Sequence, residues 1–151
     1  MIARLARFPV ILAIAVAVAV ASGCAATYER HAADSEGAFF HFKSGPDETH
    51  SVMKGLRMAQ IMAEDRDVLV FLDVDAVSLV LRDSPDLVME PYGSSHAVIG
   101  DLIDRGVPVF ACPACLQAAG KMPKDLMPGV RVAEKDAFFG LTKGRILTLD
   151  Y

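Results

Sequence analysis

The sequence predicts an α/β fold: a three-layer α/β/α domain around a mostly parallel sheet of about five strands. Two continuous apolar runs, residues 68–73 (VLVFLD) and 107–111 (VPVFA), are typical of strands buried on both faces. Between them, a segment begins with cap-type serines, places Ile99, Leu102 and Ile103 on one helical face, and ends in glycine. Strands that alternate with helices form βαβ units, with a parallel sheet and helices on its faces.

The other elements follow from similar local patterns. Residues 38–42 (AFFHF), followed closely by the turn signal SGPD, are predicted to form the first strand. A helical period begins at Asp47, with Val52, Leu56 and Ala59 on one face. The remaining predicted elements are a broken helix and loop at 76–94, a short helix from about residue 113, a strand at 130–133, a helix at 134–144 and a strand at 146–151.

The N-terminal residues have the pattern of a secretory signal peptide. Arg4 and Arg7 precede the uncharged apolar run FPVILAIAVAVAVA, which is followed by small residues and Cys24. This run is short for a membrane-spanning helix, which needs about 20 apolar residues. The small residues before Cys24 resemble the lipobox of bacterial lipoproteins, which implies cleavage before Cys24 and acylation of that residue. The alternatives are an uncleaved anchor and ordinary cleavage nearby.

These features divide the chain into a signal peptide (1–23), a lipid-anchored flexible tether (24–37) and one domain (38–151). We therefore expect the domain to lie in the periplasm of a bacterial cell envelope, attached to a membrane through the lipid on Cys24. Without the signal peptide, 13 Lys and Arg remain against 19 Asp and Glu, a net charge of −6. This acidic balance argues against nucleic acid as a partner.

Residues whose side chains can react or bind ligands lie at the predicted strand ends. The carboxyl ends of parallel strands meet at one edge of a sheet, and sites in such folds form at that edge. Cys112 and Cys115 directly follow a predicted buried strand there. His50 and His96 lie at predicted helix starts on the same edge, so they are candidate accessory residues. The cysteines and histidines together predict a functional site at this edge.

Two carboxylates are also expected near this edge. Asp73 and Asp75 point to the same side of an extended segment, because alternate residues of a strand share a face. A solvated strand end is the simpler interpretation, and polarisation of a histidine or orientation of a ligand is the alternative. The nearby sequence SGPDETH has no phosphate-loop pattern and gives no support to a nucleotide site.

The C-x-x-C spacing admits several interpretations. Cys112 lies where a strand ends and a helix begins, near unpaired N–H groups and the positive helix dipole, which stabilise a reactive thiolate. Pro113 suits the first helical position. Two alternatives to a reactive thiol are open. The cysteines can be small buried apolar residues, or they can form a redox disulfide in the thioredoxin arrangement. We expect no bound cofactor; the alternative is zinc or copper on Cys112 and Cys115, completed from His50, His96, Met53 or Met122.

Three stretches together resemble the DsrE/DsrF-like family, which includes sulfur-relay proteins of bacterial sulfur oxidation and of tRNA thiolation. They are HFKSGPDETHSVMKGLRMAQIM, VLVFLDVDAV and RGVPVFACPACLQAAGKMPKDLMPGVRVA. The resemblance covers roughly residues 38 to 151 and implies a DsrE-like fold. It also implies that Cys112, in the place of the relay nucleophile, accepts sulfane sulfur as a persulfide and passes it to a partner. Some relatives have a second cysteine that matches Cys115.

The predicted function is accordingly that of an exported, lipid-anchored sulfur carrier. Cys112 holds the persulfide, Cys115 acts as a resolving or redox partner, and the partners are a sulfur donor or acceptor protein. Because relatives commonly assemble as oligomers, the resemblance also implies a homo-oligomer. The alternative is a noncatalytic module that binds a metal or another ligand at the Cys112/Cys115 edge.

Overall fold

A five-stranded sheet forms the centre of the described residues. The structure, a computed structural model, describes residues 36–140 and 146–151. Its strands are β1 (Gly37–Phe42), β2 (Asp67–Leu72), β3 (Val88–Met89), β4 (Gly93–Ser94), β5 (Val109–Ala111), β6 (Arg131–Val132) and β7 (Ile146–Asp150). Its α-helices are α1 (Thr49–Met62), α2 (Ser95–Asp104), α3 (Pro113–Ala118) and α4 (Lys135–Phe139).

The strands of the main sheet are arranged in the order β6-β5-β2-β1-β7, and every pairing is parallel. The predicted α/β fold with a parallel sheet of about five strands is confirmed. Right-handed crossovers put α1, α2 and α3 on one face, because their three connections move in the same direction across the sheet. The connection from β6 to β7 runs the opposite way, so α4 lies on the other face, where Phe138 contacts Phe39 and Phe71.

The two faces of the sheet are covered to different extents. In β1, Ala38, Phe40 and Phe42 are fully buried on the face that packs against α1. Phe39 and His41 alternate with them and are only half-buried on the face of α4. Each large apolar side chain contributes about 1.5–3 kcal/mol when fully buried. The core therefore lies under α1, and the thinner layer leaves His41 within reach of solvent.

Gly55 allows α1 to approach the sheet closely. It lies on the buried face of the helix, which also carries Val52 and Leu56. A Cβ atom at Gly55 would lie 2.6 Å from Cγ of Tyr151 and 2.7 Å from Cε1 of Phe42. The Tyr151 ring itself stacks on Phe42, with ring centroids 5.7 Å apart. The helix position that faces these two rings consequently has no room for a side chain.

Residues 76–94, expected to form a broken helix and loop, belong partly to a 3₁₀ helix (Val74–Val80) and partly to the antiparallel pair β3–β4. Asp86 fixes this segment to the start of α2, because its carboxylate accepts hydrogen bonds from the Ser94 hydroxyl and the His96 backbone N–H. Burial alone would raise the pKa of Asp86, but its hydrogen bonds hold that pKa below the usual value. The segment is thus ordered by a carboxylate.

The predicted signal peptide (1–23) and Cys24 lie outside the described residues, as does the predicted tether (24–37) except for Glu36 and Gly37. Gly37 is already the first residue of β1. Within residues 36–140 and 146–151, no helix is long and apolar enough to cross a membrane. The leader, the lipidated cysteine and the tether stay predictions.

Candidate functional site

Cys112 lies where β5 ends and α3 begins, as the sequence predicts. Its N–H donates to the carbonyl of Leu72 at 2.8 Å, which extends the pairing between β5 and β2 by one residue. Its carbonyl accepts the N–H of Leu116 at 2.9 Å, and Pro113 occupies the first helical turn. Strand and helix hydrogen bonds thus fix the backbone of Cys112 on both sides.

The two thiols are partners of one another. Cys112 and Cys115 are both half-buried and both free. The Cys112 side chain makes no capping hydrogen bond with α3, and the predicted stabilisation of its thiolate at the start of this helix stays a prediction. The pKa of the Cys115 thiol is raised, most strongly by a hydrogen bond with Cys112 and next by burial. The negative charge of Asp73 adds to this effect. These surroundings therefore favour the protonated form of the Cys115 thiol.

A backbone N–H with unusual geometry opposes this effect. The N–H of Val74 donates to Sγ of Cys115 at 3.2 Å, a contact that lowers the pKa of the thiol. Val74 has a φ of +47°, in the left-handed region that β-branched residues rarely adopt. Such a conformation costs about 1–3 kcal/mol and persists where neighbouring contacts impose it. Here the N–H of Asp73 donates to the Phe42 carbonyl, and the Asp73 carbonyl accepts the N–H of Ala76.

A histidine between two carboxylates lies at the same edge. His41 and Asp150 are register partners in β1 and β7, and Nδ1 of His41 is 2.8 Å from Oδ1 of Asp150. Nε2 of His41 is 3.0 Å from Oδ2 of Asp73, at ion-pair distance. Nε2 and the other Asp73 oxygen, Oδ1, are shielded from solvent and have no hydrogen-bond partner among the described residues. Two polar atoms at the site are thus left without hydrogen bonds.

An open cleft of about 660 Å³ borders the strained residue. Val74, whose N–H contacts Cys115, lines this cleft, whereas Cys112 and Cys115 are not among the lining residues. A cleft of this size accommodates a small ligand or a short peptide segment. The lining residues are Lys43, Ser44, Gly45, Pro46, Asp47, Glu48, Val74, Asp75, Val77, Ser78 and Ala119.

Comparison with known protein families gives a match that covers most of the described residues. Residues 37–145 match the DsrE/DsrF-like family, a span that includes the described strands β1 to β6 and both cysteines. This chain belongs to the DsrE/DsrF-like family. The resemblance in the three quoted stretches is therefore confirmed, and the family is loosely linked to sulfur relay.

Solved structures support this membership of the DsrE/DsrF-like family. The crystal structure of the ychN protein from E. coli has 25% sequence identity and a TM-score of 0.59, and the alignment covers 77% of this chain and 99% of that one. MTH1491 from Methanobacterium thermoautotrophicum, a protein of unknown function, has 20% identity and a TM-score of 0.51, with 77% and 100% covered. The second likeness concerns the fold alone. A search of curated proteins found no match.

The candidate accessory histidines have partners other than the cysteines. Nε2 of His50 is 3.4 Å from the Tyr92 hydroxyl, and Nε2 of His96 is 3.1 Å from the Ser84 hydroxyl. No group of three or more His, Cys, Asp or Glu side chains in the described part of this DsrE/DsrF-like chain could hold a metal ion. A structural zinc site needs four ligands, so residues 36–140 and 146–151 do not complete one around the thiols.

Sequence reasoning missed His41. The simpler interpretation, a solvated strand end, agrees with the exposed Asp75, whereas the Asp73 side chain is 21% exposed and lies against His41. The alternative, polarisation of a histidine, fits the observed contact. The available signal for His41 was the strand period: Ala38, Phe40 and Phe42 form one face, which assigns His41 to the other.

The pH dependence of thiol alkylation tests the assigned state of Cys115. The raised pKa means that folded protein keeps the Cys115 proton at pH values where an ordinary cysteine has lost it. We expect iodoacetamide to modify Cys115 more slowly in the folded chain than in urea at about pH 8.5, with the difference disappearing as pH rises through the raised pKa. The stability associated with this protonation is lost over the same rise. Peptide mass analysis measures the modification, and equal rates in both states would contradict the assignment.

Proposed function

We propose that this DsrE/DsrF-like protein carries sulfane sulfur as a persulfide on Cys112, with Cys115 as the resolving or redox partner. The observation that carries the proposal is the pair of free, half-buried thiols where β5 ends and α3 begins, at the carboxyl edge of the sheet. Thiolates are the form of cysteine that attacks sulfur, and the raised pKa of Cys115 disfavours its thiolate. The cleft beside Val74 supplies space for a donor or acceptor group.

Loading is a thiolate exchange. The Cys112 thiolate attacks the outer sulfur of a donor persulfide, R–S–SH. The S–S bond of the donor breaks, a new S–S bond forms on Cys112, and the donor leaves as a thiolate. No net oxidation or reduction occurs, because one sulfane sulfur moves from one thiol to another. The donor or acceptor is a protein whose own thiol reaches the edge of the sheet.

Two routes release the sulfur. An acceptor thiolate attacks the outer sulfur and leaves Cys112 as a thiolate, which is the reverse of loading. Alternatively, Cys115 attacks Sγ of Cys112, an intramolecular disulfide forms, and the outer sulfur leaves as hydrosulfide. The second route reduces the sulfane sulfur by two electrons and oxidises the thiol pair, so an external dithiol reductant must then regenerate the thiols. Residues at i and i+3 of a helix are neighbours, which supports the second route.

Intact and peptide mass analysis of protein incubated with a small persulfide donor tests the proposal. We expect an adduct of one sulfur atom, located on Cys112, that dithiothreitol removes. A protein alkylated at both cysteines before incubation is the matched control and gains nothing. Persulfide on Cys115 alone would reverse the roles of the two thiols, and no adduct on either cysteine rejects the sulfur-carrier function.

A noncatalytic binding module at the same edge is the second candidate, favoured by the open cleft that Val74 lines. If the module binds a metal, the metal content of the purified protein tests it directly. Protein purified without added metal is expected to hold less than one equivalent of zinc or copper, because the described residues offer no third ligand of the usual kind. Stoichiometric metal that disappears in a Cys112→Ala, Cys115→Ala double variant would favour the binding module instead.

We also propose that the domain is exported and lipid-anchored through Cys24, with the domain in the periplasm of a bacterial cell envelope. The support is the basic and apolar leader followed by ASGC. More than one acyl chain is needed for stable anchoring, since each buried CH₂ contributes about 0.8 kcal/mol.

Substitution of Cys24 tests the anchor. Cys24→Ser is expected to leave the precursor unprocessed or to release the domain from membranes, because serine has no thiol for the lipid. Fractionation and gel mobility measure both results. Ala25→Ser, which adds the same hydroxyl one residue later, is the matched control and should fractionate like the wild type. A Cys24→Ser protein that fractionates and migrates like the wild type would remove Cys24 as the anchor.

A further inference from the structure

The peptide group between Asp73 and Val74 links the thiol pair to the open cleft. Its N–H donates to Sγ of Cys115 at 3.2 Å, and its carbonyl accepts the N–H of Ala76 at 2.9 Å. The Val74 side chain is exposed and lines the cleft. We propose that this peptide group is a redox-sensitive switch, which changes conformation and alters the cleft when Cys112 and Cys115 form a disulfide. The inference rests on the proposed function for the reaction that forms this disulfide, and its test needs no sulfane sulfur.

The backbone of Val74 is strained while the thiols are free. The hydrogen bond between Ala76 and Asp73 closes a turn in which Val74 is the second residue, with a φ of +47°. Turns with a positive φ at this position favour glycine, asparagine or aspartate, and a strained conformation persists only where neighbouring contacts impose it. The N–H of Val74 itself bonds to Cys115, so the left-handed conformation depends on an acceptor at that sulfur.

Disulfide formation moves this acceptor. Hydrogen bonds to Leu72 and Leu116 fix the backbone of Cys112, so the new bond forms through rotation of side chains. An S–S bond of about 2.0 Å then sets the position of the Cys115 sulfur relative to Cys112 instead of Val74. The N–H of Val74 loses its acceptor, and the residue relaxes to the negative φ that β-branched side chains prefer.

A small disulfide such as oxidised glutathione supplies the oxidising equivalents. One thiolate of the pair attacks a glutathione sulfur, and the first glutathione leaves as a thiolate. The other thiol of the pair loses its proton and displaces the second glutathione, as the bond between Cys112 and Cys115 forms. The protein loses two electrons and two protons, which the two glutathione molecules gain. Excess reduced glutathione reverses both steps.

Two walls of the cleft meet next to this peptide group. Gly45 lies in the loop after β1, and Asp75 follows Val74 at the start of the 3₁₀ helix. A Cβ atom at Gly45 would lie 3.1 Å from Cβ of Asp75, so the two walls are already in close contact. Rotation of the peptide group displaces Asp75 together with the exposed Val74 side chain. The redox state of the thiol pair thereby changes the shape that the cleft offers to a ligand.

Replacement of Val74 by glycine tests the switch. Glycine adopts a positive φ without strain, so the dithiol form of Val74→Gly lacks the strain that oxidation relieves in the wild type. Protein is equilibrated with a fixed ratio of reduced to oxidised glutathione, and alkylation with peptide mass analysis measures disulfide and dithiol at Cys112 and Cys115. We expect the ratio of disulfide to dithiol to be lower in Val74→Gly by about fivefold or more, the factor that corresponds to the usual cost of one strained residue.

Val74→Ala is the matched control. Alanine removes the branched side chain from the cleft but keeps the Cβ atom that disfavours a positive φ. Its ratio of disulfide to dithiol should therefore lie much closer to that of the wild type. Effects of glycine on the unfolded chain cancel, because both redox forms in the comparison are folded. A ratio in Val74→Gly that equals the ratio of the wild type or of Val74→Ala overturns the switch.

NMR of the wild type measures the conformational change itself. A residue with a positive φ gives a strong NOE between its own amide and Hα protons, because these two protons are then close together. We expect this NOE to be strong for Val74 in the dithiol form and weak in the disulfide form. The amide resonances of Gly45 and Ser78, which line the cleft, should shift between the two forms.

The NMR outcomes also decide the inference. A strong NOE for Val74 in both forms overturns the switch, as do unchanged resonances of Gly45 and Ser78 or a wild type that forms no disulfide between Cys112 and Cys115. These results are distinct from failure of the proposed function. A wild type that accepts no persulfide rejects sulfur carriage, while oxidation by glutathione still decides the switch.

Discussion

Cys112→Ser is expected to abolish persulfide loading completely, whereas Cys115→Ser should load one sulfur and keep it longer than the wild type. Serine leaves the two backbone hydrogen bonds of residue 112 in place, so the loss would follow from the missing sulfur nucleophile. In Cys115→Ser, the hydroxyl cannot form a disulfide, and the route that releases hydrosulfide is closed. Peptide mass analysis after donor treatment, followed over time, measures both results.

The pair of serine variants serves as its own control, because both lose one thiol at the same edge. Circular dichroism should give wild-type spectra for both. Loading that persists in Cys112→Ser and vanishes in Cys115→Ser would exchange the roles of the cysteines. An adduct that decays at the wild-type rate in Cys115→Ser would leave transfer to an acceptor as the only release route.

Gly55→Ala is expected to destabilise the fold. The added Cβ would meet Tyr151 at 2.6 Å and Phe42 at 2.7 Å, closer than side-chain carbons normally approach. Phe42 is fully buried and cannot move away without disturbing the core. Overpacking of this kind costs about 1–3 kcal/mol, which outweighs the gain of about 1 kcal/mol from replacing a helical glycine. Because both Cβ contacts are below 3.0 Å, we expect a cost near the upper end of this range, and urea unfolding should show a net loss of up to about 2 kcal/mol in the free energy of unfolding.

Gly100→Ala is the matched control for this substitution. Gly100 also lies inside a helix, but a Cβ there meets no atom within 4 Å. Its replacement is expected to stabilise the protein by about 0.5–1 kcal/mol through helix propensity alone. Opposite signs in the two variants would show that the packing at Tyr151, and not the helix backbone, decides the effect. Equal stabilisation in both variants would contradict the close approach of α1 to the sheet.

The fold was predictable because its elements have strong local signals. The apolar runs of β2 and β5 and the serine-capped α2 specify a parallel sheet before any tertiary contact is known. Local signals are weaker between residues 76 and 94, where hydrogen bonds to Asp86 from residues eight to ten positions later order the chain. The left-handed conformation of Val74 could not be predicted from the sequence, because β-branched residues rarely adopt a positive φ.

The site was predictable only in part. The C-x-x-C spacing after a buried strand located Cys112 and Cys115, because both belong to one short segment. His50 and His96 were chosen from their positions at helix starts. Their side chains contact Tyr92 and Ser84 instead of the cysteines. His41 depends on the register of β1 against two other strands and on the face that α4 leaves thinly covered.

The contact between His41 and Asp150 closes a loop of 109 positions, whereas Cys115 and Val74 are only 41 apart. Contacts between residues far apart in sequence raise the contact order and slow folding. The chain must lose the entropy of loop closure before such a contact can contribute stabilising energy. During synthesis, β1, β2 and β5 emerge before β7, so the thiols can take their places on the growing sheet while His41 still lacks Asp150. A nascent chain can therefore position its two thiols first and complete the contact between His41 and Asp150 last.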